Sequence, residues 1–452
     1  MSTMSATTAA EQLIERDQQL LIHPYLPGTT EERMVITEGA GCRLRDVEGR
    51  EYLDATGGLW LAQIGHGRAE IAEVAAAQMR KLEYFTSFWE FSNDRAIELA
   101  ARLVEISPDS LSRVYFTSGG SESNEAALRM ARYVHSRRGY EGRDWILARR
   151  SAYHGIGYGS GSASGLPIYH DGFGPMLPHV HHLTPPWPYR AELYGGADPT
   201  DFCLNELERT IEEIGGDRIA AMIGEPIMGV GGMLVPPDDY WPRVRELLSA
   251  HGILLIFDEV VTAFGRTGRW FGAQHFGVEP DLIVTAKGIT SGYVPLGAVL
   301  LSEAVAETLG RDHGFPVGFT YNGHPTACAV ALRNLQIIEA EGLLDRAREI
   351  GAFLLDELSS LEELPVVGEV RGVGMMLGIE LVSDKDTRTP ISMHAAPHDV
   401  IRRETGVLVR DCAHTLVLSP PLIMTEADAL EVVAAVRSVL ERLQPDGNIA
   451  PA

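Results

Sequence analysis

The chain has 452 residues, 45% of them hydrophobic and 22% charged, a globular mixture with ample material for a large core. That length suits two or three domains, or one large domain with a smaller attachment. The formal net charge of -24 repels phosphate backbones and sets nucleic acid aside as a partner.

In chain order, "MSTMSATTAAEQLIERDQQLL" has no basic start and no unbroken apolar run, so it reads as a loosely amphipathic helix rather than a secretory signal. A hairpin follows: "CRLRDVEGREYLDATGG" carries two short alternating runs around Asp46-Val47-Glu48-Gly49, a turn-type interruption. From about residue 68, helices alternate with short apolar strands. "RVYFTSGG" leads into the helical "SESNEAALRMARYVHSRRG", and "DRIAAMIGEPI" into "PDDYWPRVRELLSAHG". "ILLIFDE", "DLIVTAKG" and "LGAVLLSE" are further strands. Strands apolar on both faces with helices between them imply a mostly parallel sheet, an α/β domain over residues 68–325.

After residue 326 the character changes. Helical "TACAVALRNLQIIEAEGL" and "LLDRAREIGAFLLDELSSL" lead to strand-like "RGVGMMLGIELV" and "GVLVRDCAHTLVLSPPL". A last helix opens on Thr425 and Asp428 at capping-box spacing and carries an apolar stripe of Val432, Val433, Val436, Val439, Leu440 and Leu443. Residues 326–452 read as a smaller α+β domain that shares a sheet with the hairpin of residues 1–67. The stretch "GIGYGSGSASG", 155–165, reads as a glycine/serine-rich loop. Cys42, Cys203, Cys328 and Cys412 show neither C-x-x-C nor zinc-ligand spacing and read as reduced thiols. With no apolar window long enough to span a bilayer, a soluble cytoplasmic protein is expected.

Three segments carry candidate chemistry. "FTSGGSES" sets Gly119, Gly120 and Ser121 between a strand and a helix, where free N–H groups and the helix dipole favour a phosphate. Taken alone it reads rather as a tight strand-to-helix turn with a serine cap. No G-K-[ST] follows, so it is not a nucleotide P-loop. "LLIFDEVV" ends an apolar run on Asp258, at the strand end where α/β sheets meet ligands, although an isolated Asp there is more often structural. Lys287 ends the next run, in a chain that has only two other lysines, Lys81 and Lys385, against 35 arginines. A lysine at the end of a buried strand has its ammonium destabilised, which frees a neutral amine to attack a carbonyl. Phosphate cradle, carboxylate and buried lysine on successive strands point to pyridoxal phosphate (PLP).

The blocks "FTSGGSESNEAALRMAR", "SAYHGIGYGS", "GEPIMGVGG", "IFDEVVTAFGRTGRWFG", "PDLIVTAKGITSGYVPLGAVL" and "FTYNGHPTACAVAL" together resemble the class III aminotransferases of PLP fold type I, over roughly residues 40 to 445. The resemblance implies that Lys287 is the Schiff-base lysine and proton shuttle, and that Asp258 pairs with the pyridinium nitrogen. It implies Tyr153 and Val260 on the two ring faces, Gly120 and Ser121 on the phosphate, and Glu225 near the cofactor's hydroxyl edge. Many relatives have serine where this chain has Gly119, so one side-chain donor is missing here. Phe319 and Thr320 are expected to complete the phosphate site of a neighbouring subunit, making a homodimer obligatory, with a tetramer left open.

Within the family, "GGLWLAQIGHG" resembles the amine–pyruvate (ω-) transaminases, with Trp60, Phe88 and Tyr153 around an amine pocket and Arg410 gripping the keto-acid carboxylate. A guanidinium fork holds a carboxylate by two hydrogen bonds, and its long stem lets it withdraw. The expected activity moves an amino group from a primary amine or ω-amino acid to pyruvate. The rivals are a 2-oxoglutarate-dependent diamine, ornithine-like or diaminopelargonate type, a PLP decarboxylase, racemase or aminomutase, and a non-enzymatic binding module. "HVHH", 179–182, lies among prolines without a carboxylate or thiolate set and is not expected to bind metal.

Overall fold

The computed structural model describes residues 9–27, 29–30, 32–311 and 314–451. A seven-stranded sheet runs in the order Leu111–Thr117, Gly297–Ser302, Leu282–Thr285, Leu254–Asp258, Ile219–Gly224, Trp145–Arg149, Val180–Leu183. Gly297–Ser302 is antiparallel to both neighbours, and the other pairings are parallel. Parallel strands are covered on both faces, which removes any alternation from their sequences. Every residue of Ile219–Gly224, Leu254–Asp258, Leu282–Thr285 and Gly297–Ser302 is buried. Helix Gly120–Arg137 covers one face, with Ala127, Met130, Ala131 and Val134 in one cluster with Ile223, Ile256 and Val284. The intervening side chains, among them Met222, Leu255, Phe257 and Ile283, belong to the core on the other face. The carboxyl ends of the parallel strands thereby gather along one edge.

Two smaller sheets flank this one. Ile36–Ala40, Arg43–Asp46 and Glu51–Asp54 form an antiparallel meander, joined by Val407–Leu408 parallel to Glu51–Asp54 with Val407 opposite Leu53. The expected turn is there: Asp46 Oδ1 accepts from the N–H groups of Glu48 (3.0 Å) and Arg50 (2.9 Å), and Gly49 closes it at φ +84. The other sheet orders Val367–Val373, Met376–Asp384, Thr415–Leu418 and Arg410–Cys412, all antiparallel. Helix Glu426–Leu440 starts with the expected box, Thr425 and Asp428 each accepting from the other's backbone N–H at 3.1 Å.

One expectation changes. The glycine/serine stretch is not all loop, because Tyr158–Ala163 is helical. Glu125 of the long helix accepts from Ser160 N at 2.8 Å, and a Cβ at Gly157 or Gly159 would strike that carboxylate, so the glycines serve close approach. "HVHH" supplies the edge strand Val180–Leu183, where His182 Nε2 bonds Ser164 O at 3.1 Å. His179 stacks on Trp145 at 4.9 Å and pairs with Asp144 at 2.8 Å. The N-terminal helix, Ala9–Leu20, buries none of its residues, and the expected segment before it lies outside the described residues. No described helix is long and apolar enough to cross a membrane, and all four cysteines are free and buried.

Candidate active site

Lys287 follows Leu282–Thr285 and opens a single turn, Lys287–Ile289, with φ +47. That left-handed conformation costs a side-chain-bearing residue on the order of 1 kcal/mol or more, and it persists only where the surroundings enforce it. Asn334 Nδ2 does so by donating to Gly288 O (2.9 Å) and Ile289 O (3.0 Å), and the Gln63 amide fills the space above Gly288. Part of the lysine is reachable from the cavity it lines, yet protein surrounds it. That burial outweighs the attraction of Asp258 and Glu225, and Arg410 and Arg266 add repulsion, so its pKa falls to about 8.

Asp258, buried at its strand end, is held from three directions. Its Oδ2 accepts from Asn124 Nδ2 at 2.8 Å and lies 2.7 Å from His154 Nδ1, while Oδ1 accepts from Val260 N at 3.1 Å. The adjacent Glu259 turns the other way, accepting from Gly272 N (2.5 Å) and Ala273 N (2.8 Å), and burial lifts its pKa to about 7. Glu225 follows Ile219–Gly224 and accepts from Tyr153 N (3.1 Å) and Gly229 N (2.8 Å); burial raises its pKa as well.

Gly120 and Ser121 open the long helix, with Gly119 before them in extended backbone. A Cβ on Gly120 would meet both Val260 methyls at 3.1 Å, and one on Gly155 would come within 2.5 Å of Ser121 Oγ. Together with Asn124, Tyr153, His154, Glu225, Asp258, Val260 and Lys287 these residues line one cavity of ≈ 140 Å³. A larger cavity, beside Phe315, contains none of the predicted site residues.

Trp60 stands at the rim of this site, buried and at φ +61. Lys287 Nζ is 5.3 Å and the Arg410 guanidinium 5.9 Å from its ring centre. A Cβ on Gly229 would lie 3.0 Å from the indole, so glycine lets the loop after Glu225 seat the ring. The Tyr153 ring lies 4.9 Å from that of Tyr169, whose hydroxyl accepts from Tyr25 at 3.1 Å.

The structure thus brings together Gly120, Ser121, Tyr153, Glu225, Asp258, Val260, Lys287, Trp60 and Arg410, with Gly119 alongside. It does not bring Phe88, Phe319 or Thr320 into this cavity. They form a separate patch: Phe88 occupies the space over Gly318, Tyr84 Oη donates to Thr320 O at 2.8 Å, and Ser87 Oγ donates to Asn322 O at 2.8 Å. Sequence reasoning missed Asn124 and His154. Asn124 lies one helical turn after Gly120, and His154 stands beside Tyr153 in "YHG", so periodicity and adjacency carried a signal for both.

A half-buried lysine, a fixed carboxylate and a helix N-terminus converging on the carboxyl edge of a parallel-rich sheet define a PLP enzyme of fold type I. The aminotransferase class-III family matches residues 26–440, and the chain belongs to that family. It is 36% identical over 447 residues to the putrescine–pyruvate aminotransferase of Pseudomonas aeruginosa, covering 97% of each chain. Among solved structures it resembles a thermostable (S)-enantioselective omega-transaminase from Thermomicrobium roseum, with TM-score 0.92, 46% identity, and 95% and 98% of the two chains covered. A PLP-bound amine transaminase from an uncultivated Pseudomonas species matches with TM-score 0.89 and 42% identity over 92% and 97%. Class III aminotransferases depend on PLP, and the residues here fit it. The carboxylate, the amine and the glycine-lined helix start border one cavity, where Asn124 Oδ1 and His154 Nε2 are buried without a protein partner.

Proposed function

We propose that the chain transfers an amino group from a primary amine or ω-amino acid to pyruvate, giving an aldehyde or ketone and alanine. The observation that carries this reading is the indole of Trp60 with the Lys287 amine and the Arg410 guanidinium both on it, at 5.3 and 5.9 Å. One cation is suited to move a proton at the reacting carbon, and the other to grip a carboxylate a short distance away. When Arg410 lies back on the indole, an amine without a carboxylate meets an apolar wall instead of a bare charge.

PLP, when bound, supplies an aldehyde that joins to amines and a ring that draws electrons from the neighbouring carbon. The chain's own residues do the rest. Asp258, oriented by Asn124, His154 and Val260 N, would hold a proton on the ring nitrogen. Gly120 and Ser121 would take the phosphate at the helix start. Tyr153 and Val260 would close the two ring faces, and Glu225 would stand near the hydroxyl edge. Lys287, with its pKa near 8, would take the proton from the substrate carbon and return it to the cofactor side. The patch of Phe88, Phe319 and Thr320 would serve the cavity of a second copy, which makes the active form a dimer and assigns Phe88 to the partner's amine pocket. Residues 1–67 and 326–452 would act as a small domain against a large one, 68–325.

The test uses the PLP-loaded protein. A panel of amines is added until the cofactor's visible band bleaches, excess amine is removed, and pyruvate or 2-oxoglutarate is supplied separately. Recovery of the band with pyruvate, together with alanine formation, is expected. Recovery with 2-oxoglutarate alone would move the enzyme to the other acceptor, and no bleaching with any amine would remove transamination.

A further inference from the structure

Arg410 begins a three-residue edge strand, Arg410–Cys412, whose only partner in its sheet among the described residues is the other arm of its hairpin, Thr415–Leu418. An edge strand this short is poorly fixed by its ladder alone. At the hairpin turn, beside Ala413 at φ +55, the chain is tied to one buried carboxylate. Glu380, 0% exposed and cross-strand from Thr415, accepts from Thr415 Oγ1 at 2.8 Å, and His414 Nε2 lies 3.0 Å from its other oxygen.

That carboxylate is also gripped by two arginines, one on each oxygen, which lie 3.3 Å from His414 Nε2 and Thr415 Oγ1 respectively. Arg190 Nη2 donates to Oε1 at 2.6 Å and Arg371 Nη2 to Oε2 at 2.8 Å. Both guanidiniums lie against the Trp187 ring, at 5.1 and 5.3 Å. Arg371 also donates to Gly232 O, at 3.0 Å from Nε, in the loop whose Gly229 seats Trp60. Burying such a cluster costs desolvation that its ion pairs barely offset, so it is a poor source of stability and a good source of fixed geometry.

We infer that Glu380 is a positioning residue for the keto-acid half of the reaction, acting through His414 and Thr415 to aim Arg410 at the acceptor carboxylate. This rests on the proposed role of Arg410 and deepens it. Neither Glu380 nor its partners line the cavity that contains Lys287. Loss of His414 or Thr415, neither of which lines that cavity or hydrogen-bonds to the loop seating Trp60, therefore acts on the acceptor and leaves the amine step alone.

His414, partly exposed at the turn, is the variant to make first, because Glu380→Gln leaves two buried arginines facing a neutral group and can fail to fold. For PLP-loaded H414A and T415V, the KM for the keto acid is expected to rise roughly tenfold, since small misplacement of a binding group costs up to 10²-fold. The rate of cofactor bleaching by amine and the thermal midpoint should stay as in the wild type. In an Arg410→Ala background the same substitutions should add nothing, because their effect passes through the absent guanidinium. Equal losses in both half-reactions, an unchanged KM, or additive effects with Arg410→Ala would each overturn the positioning role. Which keto acid is accepted is read from the wild type first and the variants are compared with that acid, so a wrong acceptor assignment and a wrong positioning role give different results.

Discussion

Two walls of one cavity are built by different means. The wall of Lys287, Asp258, Glu225 and Gly120 is made of successive strand ends and one helix start, all on a sheet buried on both faces. The wall of Trp60 and Arg410 is made of a tight turn and an edge hairpin from distant parts of the chain, held by glycine contacts and a buried carboxylate. The groups proposed for the chemistry common to every substrate sit on the rigid layer, and those proposed to admit different substrates sit on short segments positioned by side chains.

The sharpest way to break that contrast is at Lys287. Lys287→Met should lower turnover by roughly 10³-fold or more, since the proposed role makes this lysine both the covalent anchor and the general base. The same residue makes a stability claim. Burial lowers its pKa from 10.5 to about 8, so between those values the folded apoenzyme binds fewer protons than the unfolded chain. Wild-type stability then carries the full penalty below pH 8 and recovers as pH rises toward 10.5. Lys287→Met apoenzyme should exceed wild type by on the order of 2 kcal/mol in denaturant titrations at pH 7, and the two should converge by pH 10.5. A wild type as stable as the variant at pH 7 would mean that the lysine is solvated and the wall is not dry.

Asp258→Asn tests the same wall with a smaller effect. The amide fills the same space but no longer supplies the charge that holds a ring proton, so kcat should fall roughly 10²- to 10³-fold with PLP still retained. Its loss should slow both half-reactions. Arg410→Ala tests the other wall: KM for the keto acid should rise roughly 10- to 10²-fold, the loss of a charge-assisted pair, while bleaching by amine stays fast. Were Arg410→Ala to slow the amine step as strongly, the division of labour between the walls would collapse.

The first wall was legible in the sequence and the second only in part. A parallel sheet buried on both faces writes itself as unbroken apolar runs, and "LLIFDE" and "DLIVTAKG" end on the two residues that matter. Helical spacing even held Asn124, although it went unread. Trp60 and Arg410 emerged through family resemblance, because nothing local distinguishes an arginine aimed at a ligand from one at a strand end. The cluster at the Arg410 hairpin was invisible: Glu380, Arg190, Arg371 and His414 are far apart in the chain and meet only through tertiary packing. That Phe88 lies away from the cavity of its own chain was equally hidden, since sequence does not say which side of the molecule a connecting segment faces. The glycine/serine stretch read as loop because its glycines answer to Glu125, a contact from another element.

The mildest substitution sharpens the comparison by improving the rigid wall. Gly119 has φ 176, extended backbone that any residue adopts, and a Cβ there would meet no atom within 4 Å. Unlike Gly120 and Gly155, which are crowded by Val260 and Ser121, it has no steric need to be glycine. Gly119→Ser places a hydroxyl beside the helix start proposed for the phosphate and also removes glycine's freedom from the unfolded chain, a gain of about 0.4–1 kcal/mol. The expected outcome is a several-fold tighter PLP Kd by equilibrium dialysis, from about one added hydrogen bond to a charged group, with the keto-acid KM unchanged. A tighter Kd with unchanged acceptor kinetics would show that the strand-end wall can be tuned independently of the Arg410 hairpin. A weaker Kd would mean that the phosphate approaches closer to residue 119 than its open surroundings suggest.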